Sequence, residues 1–150
     1  MQLLMQIKIK KLHENAIFPS YAKPGDAGMD LYAVDLEYTD NYVEYKTGLA
    51  VEIPEGYVGL IFPRSSNSKK DLLLCNSTAV IDSGYRGELL LRYKIVYNNH
   101  SDVSPYPVVY KIGDACGQLM IIPYPKVQFV EAAELSDTER GEGGFGSTGA

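Results

Sequence analysis

The sequence predicts an all-β chain, folded as a sandwich or barrel of short strands, and three observations predict it. Apolar residues recur with a period of two in several short runs, the spacing that puts alternate side chains on one face of a strand. Turn-forming clusters rich in Gly, Pro, Asn and Asp interrupt those runs at short intervals. No window of ordinary helix length sustains a 3.6-residue period, so at most one short helix is expected, near residues 66–74. Many short strands divided by dense turns indicate a sandwich or barrel.

Each element has its own justification. Residues 6–12 alternate, with Ile7 and Ile9 on one side and Lys8 and Lys10 on the other. Residues 57–62, 108–112, 119–122 and 126–130 are short apolar or β-branched runs and read as strands. In residues 88–97, Leu89, Leu91, Tyr93 and Ile95 share one face while Glu88, Arg92 and Lys94 share the other, as in a half-buried antiparallel strand. Turns fall at residues 23–26, 54–56, 98–102 and 112–114. The run Ala79, Val80, Ile81 ends in Asp82, and Ser83-Gly84 then offers a two-residue turn before Tyr85, which predicts a hairpin with Asp82 on its rim.

Length and charge narrow the class. At 150 residues the chain is one domain, of a size that buries about 68 to 70% of its unfolded surface without needing disulfide or metal staples. Its two cysteines, Cys75 and Cys116, lie far apart and form no CxxC pair. Both are expected to be reduced, structurally buried thiols in a cytoplasmic protein, the host cytoplasm if the gene is viral. The N-terminal apolar residues are few and precede the first lysine, so neither a signal peptide nor a membrane span is expected. A net charge of −5 argues against a general nucleic-acid binder. A small phosphorylated ligand remains compatible, because local arginines or a divalent cation outweigh the global sign.

The chemistry-bearing residues sit at strand ends and in the tail. No GxxxxGK[ST] segment is present, His13 and His100 lack metal-ligand spacing, and the serines lack a Ser-His-Asp set. Asp82, at the end of an apolar run, is placed to be partly desolvated, which makes a carboxylate a useful base; an aspartate that merely opens a turn is the simpler reading of that position alone. Asp30, Arg64 and Gln118 have equally plain readings as a turn residue, a surface ion pair and a sheet-edge amide. The tail, residues 140–150 (RGEGGFGSTGA), combines five glycines with Arg140, Phe145, Ser147 and Thr148. Such a segment can turn N–H groups toward an anion, grip phosphate with a guanidinium and stack an aromatic on a base, the parts of a nucleotide lid. Residues 1–135 are therefore read as the β domain and 136–150 as its flexible lid.

The order of these segments carries a further inference. AGMDLYA, PRSS, NSTAVIDSGYRGEL, GDACGQLM and RGEGGFGSTG resemble, in sequence and spacing, the five motifs of the trimeric dUTP pyrophosphatase (dUTPase) family, over about residues 27–149. The resemblance implies a jelly-roll-like fold and a homotrimer with three sites, each drawing residues from all three chains. It implies hydrolysis of dUTP to dUMP and pyrophosphate, with Asp82 orienting and deprotonating the water that attacks the α-phosphorus. Tyr85 matches the aromatic that packs on deoxyribose and refuses a 2′-hydroxyl, and Asn76 matches the asparagine that helps read uracil. Ser65 matches the serine at the α,β-bridging region, and Arg64 and Gln118 match residues that order or bind phosphates. Asp30 matches a carboxylate near the metal-bound triphosphate. Mg2+ would be held mainly by substrate phosphates, with no direct protein ligand assigned. Phe145 would stack on uracil while Arg140, Ser147 and Thr148 hold the γ-phosphate.

Some positions depart from the family pattern. The stretch from PRSS to Asn76 is one residue shorter than in many relatives, which leaves the register of Lys69 and Lys70 open, and Ala115 stands where an arginine is frequent. Two alternatives remain at this point. The dCTP deaminases share an IDxG-type segment, but their catalytic glutamate, ten residues after its aspartate, corresponds here to Arg92. A nucleotide-gated regulatory protein on the same fold is the other, and residues 98–110 are where a partner surface is expected.

Overall fold

The computed structural model describes residues 4–96 and 106–146. Its strands are β1 (Lys8–Lys11), β2 (Met29–Tyr32), β3 (Asp35–Tyr38), β4 (Val43–Lys46), β5 (Leu49–Glu52), β6 (Tyr57–Phe62), β7 (Leu72–Leu74), β8 (Ala79–Ile81), β9 (Leu90–Ile95) and β10 (Ala115–Pro123). Two four-stranded sheets, ordered β2-β10-β6-β8 and β3-β4-β9-β7, account for eight of them, and β1 pairs with β5. Among the described residues every pairing is antiparallel. The all-β, jelly-roll-like expectation holds, and among the described residues the single helical element is a 3-10 helix at Ser65–Lys69.

Burial follows the alternation. In β9, Leu91 and Tyr93 are buried while Arg92 and Lys94 face out. The core joins Leu31, Val43, Ile61, Leu91, Cys116 and Leu119 from both sheets. Three tyrosines fill its centre: Tyr45, Tyr93 and Tyr110 meet edge to face with ring centroids 5.8 to 5.9 Å apart. Every one of their hydroxyls has an acceptor, which buried phenols require. Tyr45 donates to Tyr110 O at 3.0 Å, Tyr93 to Cys116 O at 2.7 Å and Tyr110 to Asn67 Oδ1 at 3.2 Å. The Cys116 carbonyl lies at a register shift in the β2–β10 ladder between Ala115 and Gly117, so the Tyr93 hydroxyl supplies a donor at a bulge.

Several expectations are corrected. Residues 108–112 pair with no strand; Tyr110 is drawn into the core, and the preceding residues are held by Asp71, which accepts from Val108 N through Oδ2 at 2.7 Å and donates its own N–H to Val108 O at 2.8 Å. Residues 126–130 also form no strand, and Val127, Phe129 and Val130 are exposed, with no strand among the described residues pairing with them. The helix ends at Lys69, and Leu72–Leu74 is a strand. No hairpin joins β8 to β9: Tyr85 N bonds Asp82 O in a turn, but β8 pairs with β6 while β9 pairs with β4 and β7, so residues 82–89 cross between sheets. Cys116 is buried as expected, its thiol pushed up to about 12 by desolvation, whereas Cys75 is exposed. His100 and residues 98–105 of the expected partner surface lie outside the described residues.

Burial raises the hydroxyl pKa of Tyr45, Tyr93 and Tyr110 above the ordinary 10.0. Their contribution to stability is complete below pH 10.0 and is lost as pH climbs toward the folded values, because the unfolded chain ionises first. Denaturant titrations should show a flat stability to about pH 9, then a fall approaching 1.4 kcal/mol per pH unit for each tyrosine that stays protonated in the fold.

Candidate active site

Three adjacent strands bring one group of candidate residues together. Gln118 of β10 lies in register with Asp30 of β2 on one side and Phe62 of β6 on the other. Two residues beyond Phe62, Arg64 turns back over the sheet and grips Asp30 with a two-pronged ion pair, Nε to Oδ1 at 2.7 Å and Nη2 to Oδ2 at 3.3 Å. The pair is partly shielded, with side chains 33% and 18% exposed, which strengthens it over a solvated surface pair. Both carboxylate oxygens of Asp30 are thereby engaged, and the guanidinium is locked in one orientation. Gln118 Nε2 donates to Pro63 O at 2.9 Å, bracing the same corner. Gly28 makes that possible: a Cβ there would lie 3.1 Å from Gln118 Cδ and closer still to its carbonyl oxygen. Ser65, exposed, opens the 3-10 helix, which Asn67 anchors through Nδ2 to Leu72 O at 2.9 Å and through Oδ1 to Tyr110.

A second group sits elsewhere. Asp82 and Tyr85 occupy the crossing segment after β8, and both are exposed in the single chain, so the expected desolvation of Asp82 is not supplied by its own chain. The Tyr85 hydroxyl donates to Glu88 O at 2.8 Å, and Arg86 Nη1 donates to Ser83 O at 2.6 Å and Tyr85 O at 2.9 Å, pinning the turn from both sides. Asn76 lies exposed at the other end of β8, in a turn where Ser77 has φ 58°. The β6–β8 register fixes the separation of the two groups. Ile81 faces Gly59 at the start of β6, while Arg64 and Ser65 follow its far end, so Asp82 and Ser65 stand on the order of 15–20 Å apart at strand rise.

The tail forms a third group. Arg140 Nε donates to Gly143 O at 3.0 Å, Gly141 N to Thr138 Oγ1 at 3.0 Å, and Phe145, with φ 51°, is fully exposed. Ser147 and Thr148 lie outside the described residues. Lys70, whose register the sequence left open, points inward, its ammonium 3.3 Å from Val109 O and 5.1 Å from the centre of the Tyr110 ring. Arg92, at the deaminase glutamate position, faces Glu44 across the β4–β9 ladder with Nε to Oε2 at 2.7 Å and stacks over Tyr42 at 4.7 Å. A locked cation cannot carry the proton that deamination needs.

The family model for dUTPase matches residues 14–149. The chain belongs to the dUTPase family. It is 43% identical to the deoxyuridine 5′-triphosphate nucleotidohydrolase of Hydrogenobaculum sp. (strain Y04AAS1), over 97% of this chain and 99% of that one. It is 37% identical to the protein of that name from Gloeobacter violaceus, covering 97% of each. Among solved structures, the dUTPase of Staphylococcus bacteriophage 80alpha with dUpNHpp aligns with a TM-score of 0.79 at 31% identity, over 97% of this chain and 99% of that one. A dUTPase mutant of the S. aureus phage phi11, described as coordinating a structural Mg(II) ion, aligns with a TM-score of 0.70 at 29% identity, over 87% and 98%. This dUTPase is thus a hydrolase of nucleotide metabolism, a dUTP diphosphatase.

Three features escaped the sequence reading: the contact between Asp30 and Arg64, the close approach at Gly28, and the bracing of the Asp82–Tyr85 turn by Arg86 and Glu88. Gly28 and Glu88 each stand inside a quoted motif, so their position was visible and their partners were not. Asp30→Asn keeps the side-chain volume and breaks the two-pronged pair. It should lower kcat/KM for dUTP by roughly tenfold or more with an unchanged circular dichroism spectrum, the loss coming from a released Arg64.

Proposed function

We propose that the three groups are parts of one composite site, completed only when chains of this dUTPase associate as a homotrimer. The observation that carries this reading is the β6–β8 register, which keeps Asp82 and Tyr85 far from Arg64, Ser65 and Gln118 within a chain. A second observation supports association: Val127, Phe129, Val130 and Leu135 extend from the domain exposed, and an apolar groove of about 370 Å3 that includes Phe18, Met29, Leu119 and Ile121 stands open beside β1.

In this reading, dUTP is hydrolysed to dUMP and pyrophosphate. Asp82 accepts a proton from the attacking water and aims it at the α-phosphorus; its exposure in the single chain ends when a neighbour covers it. Tyr85 lies against the deoxyribose, and Asn76 with backbone groups reads uracil. Thymine is excluded by its methyl group and cytosine by a donor meeting a donor. Arg64, held by Asp30, presents a fixed guanidinium to the phosphates, Ser65 contacts the α,β-bridging region, and Gln118 orders the corner. The donor set suits a metal that arrives with the nucleotide: Asp30 is engaged by Arg64, and among the described residues no three His, Cys, Asp or Glu side chains cluster. Mg2+ bound to the phosphates would neutralise their charge and fix a reactive conformer. Residues 136–150 act as the lid, with Phe145 stacking on uracil and Arg140, Ser147 and Thr148 holding the γ-phosphate, so that closure excludes bulk water. The cytoplasm, the host's if the gene is viral, is the proposed location.

Asp82→Asn should retain binding of a non-hydrolysable dUTP analogue and lose activity by about 100-fold or more. The composite site has a sharper test. Chains carrying Asp82→Asn and chains carrying Arg64→Ala, each inactive alone, are unfolded together and refolded as a mixture. Recovery of dUTP turnover above either parent is expected, because some sites then take both groups from intact chains; no recovery in correctly assembled mixtures would place the whole site in one chain.

A further inference from the structure

The crossing segment that carries Tyr85 is built on a shelf whose details go beyond the residues already assigned. The hydroxyl end of the Tyr85 ring lies against Gly87, so close that a Cβ at Gly87 would stand 2.5 Å from Tyr85 Cζ and 2.9 Å from Cε2. Its hydroxyl is fixed by the Glu88 carbonyl at 2.8 Å. Glu88 is itself held from the opposite side of the domain: its carboxylate Oε1 accepts from Gly48 N at 2.7 Å, across 40 residues of sequence. Gly48 stands between β4 and β5, and its own carbonyl accepts from Leu12 N at 2.7 Å. The next residue, Leu89, is fully buried, and its carbonyl accepts from both Thr47 Oγ1 at 2.8 Å and Thr47 N at 3.3 Å. The ring of Tyr85 is therefore supported from below by backbone and pinned at its tip by a chain of bonds that ends in the β4–β5 connection.

We propose that Glu88 is the positioning residue for sugar selection: its carboxylate, held by Gly48, fixes the carbonyl that holds the Tyr85 hydroxyl, and so fixes how deeply the ring stands against the deoxyribose. This inference rests on the reading of Tyr85 as the group beside the sugar. A 2′-hydroxyl is one oxygen atom, and a ring that can retreat by a fraction of its thickness makes room for it. Refusal of a ribonucleotide therefore depends on a wall that cannot yield, and a freely rotating phenol is not such a wall. A carboxylate accepting from a backbone N–H is a charge-assisted bond, stronger than a neutral one, and it adds a side-chain tie at Glu88 to the backbone bonds that join the next residue, Leu89, to Thr47 and Leu49.

The readout is the ratio of kcat/KM for dUTP to that for UTP, measured on the assembled full-length enzyme. Glu88→Ala is expected to lower the ratio by about tenfold, the effect of one lost charge-assisted hydrogen bond on the wall. Glu88→Gln, which keeps an Oε1 acceptor for Gly48 N, should stay near the parent ratio. Gly87→Ala would crowd the Tyr85 hydroxyl and the adjoining ring atoms, displacing the tip from Glu88 O while leaving the Glu88 carboxylate on Gly48, and should lower the ratio as well; it serves as the test if Glu88→Ala fails to fold. Equal losses on both nucleotides in Glu88→Ala, or an unchanged ratio in folded Gly87→Ala, would reduce the shelf to a purely structural role and overturn the proposal. Tyr85→Leu separates the two levels of the argument. If it collapses the ratio while Glu88→Ala does not, the role of Glu88 alone fails. If Tyr85→Leu leaves the ratio intact, the reading of Tyr85 fails and the proposal with it.

Discussion

Three buried phenols must each find a hydrogen-bond acceptor, and the rest of the molecule is arranged around that requirement. Tyr45, Tyr93 and Tyr110 supply a large share of the apolar bulk between the sheets, but each also brings a hydroxyl that costs free energy if left unpaired. The acceptors chosen are informative. Cys116 O sits at a bulge two residues before Gln118, and Asn67 Oδ1 belongs to the 3-10 helix that Ser65 opens. The same contacts that satisfy the core thus tie the core to the corner where Arg64, Ser65 and Gln118 stand. Placement of Arg64, Ser65 and Gln118 is a property of the packed interior, not of a loose surface loop.

The parts of the proposed site differ in how they are held, and the difference agrees with the role proposed for each. The corner at Asp30, Arg64 and Gln118 is cross-braced by an ion pair and an amide bond on three adjacent strands, suitable for fixed positive charge. The turn at Asp82 and Tyr85 is short and externally tethered, suitable for a wall and a base. Among the described residues the tail shows local bonds within residues 138–143, and Phe145 is fully exposed, suitable for an element that engages after the nucleotide. On the proposed reading, the cross-braced corner would face the phosphates and the locally bonded tail would close over the nucleotide.

Much of this was legible in the sequence. A short apolar run identified β6 to the residue, and alternation identified the buried face of β9, since both patterns are local properties. The four-residue strands β2 to β4 were invisible because polar positions such as Asp30, Glu44 and Lys46 are stabilised by partners distant in sequence, Arg64, Arg92 and Asp35, which breaks the local pattern. Residues 108–112 and 126–130 had strand-like composition without a strand beside them, and composition says nothing about who the neighbour is. The chemistry-bearing residues were recognisable by motif order. Their grouping was not, because the distance between Asp82 and Ser65 is fixed by the pairing of β8 with β6 and not by the short stretch of chain between them. Ser83-Gly84 has the chemistry of a hairpin turn, yet the segment crosses between sheets, as the anchoring of Leu89 to Thr47 and Leu49 dictates.

The tyrosine cluster also gives the protein a built-in optical label. The chain has 12 tyrosines and no tryptophan, so its near-ultraviolet absorption bands arise from phenol rings without indole overlap. Three of those rings are coupled edge to face in a fixed chiral arrangement, and the described rings outside the cluster include several that are solvent-exposed, such as Tyr21, Tyr38 and Tyr106. Near-ultraviolet dichroism therefore follows the packing between the two sheets, and it does so with the residues nature placed there, without an added fluorophore that would disturb the seam it was meant to watch.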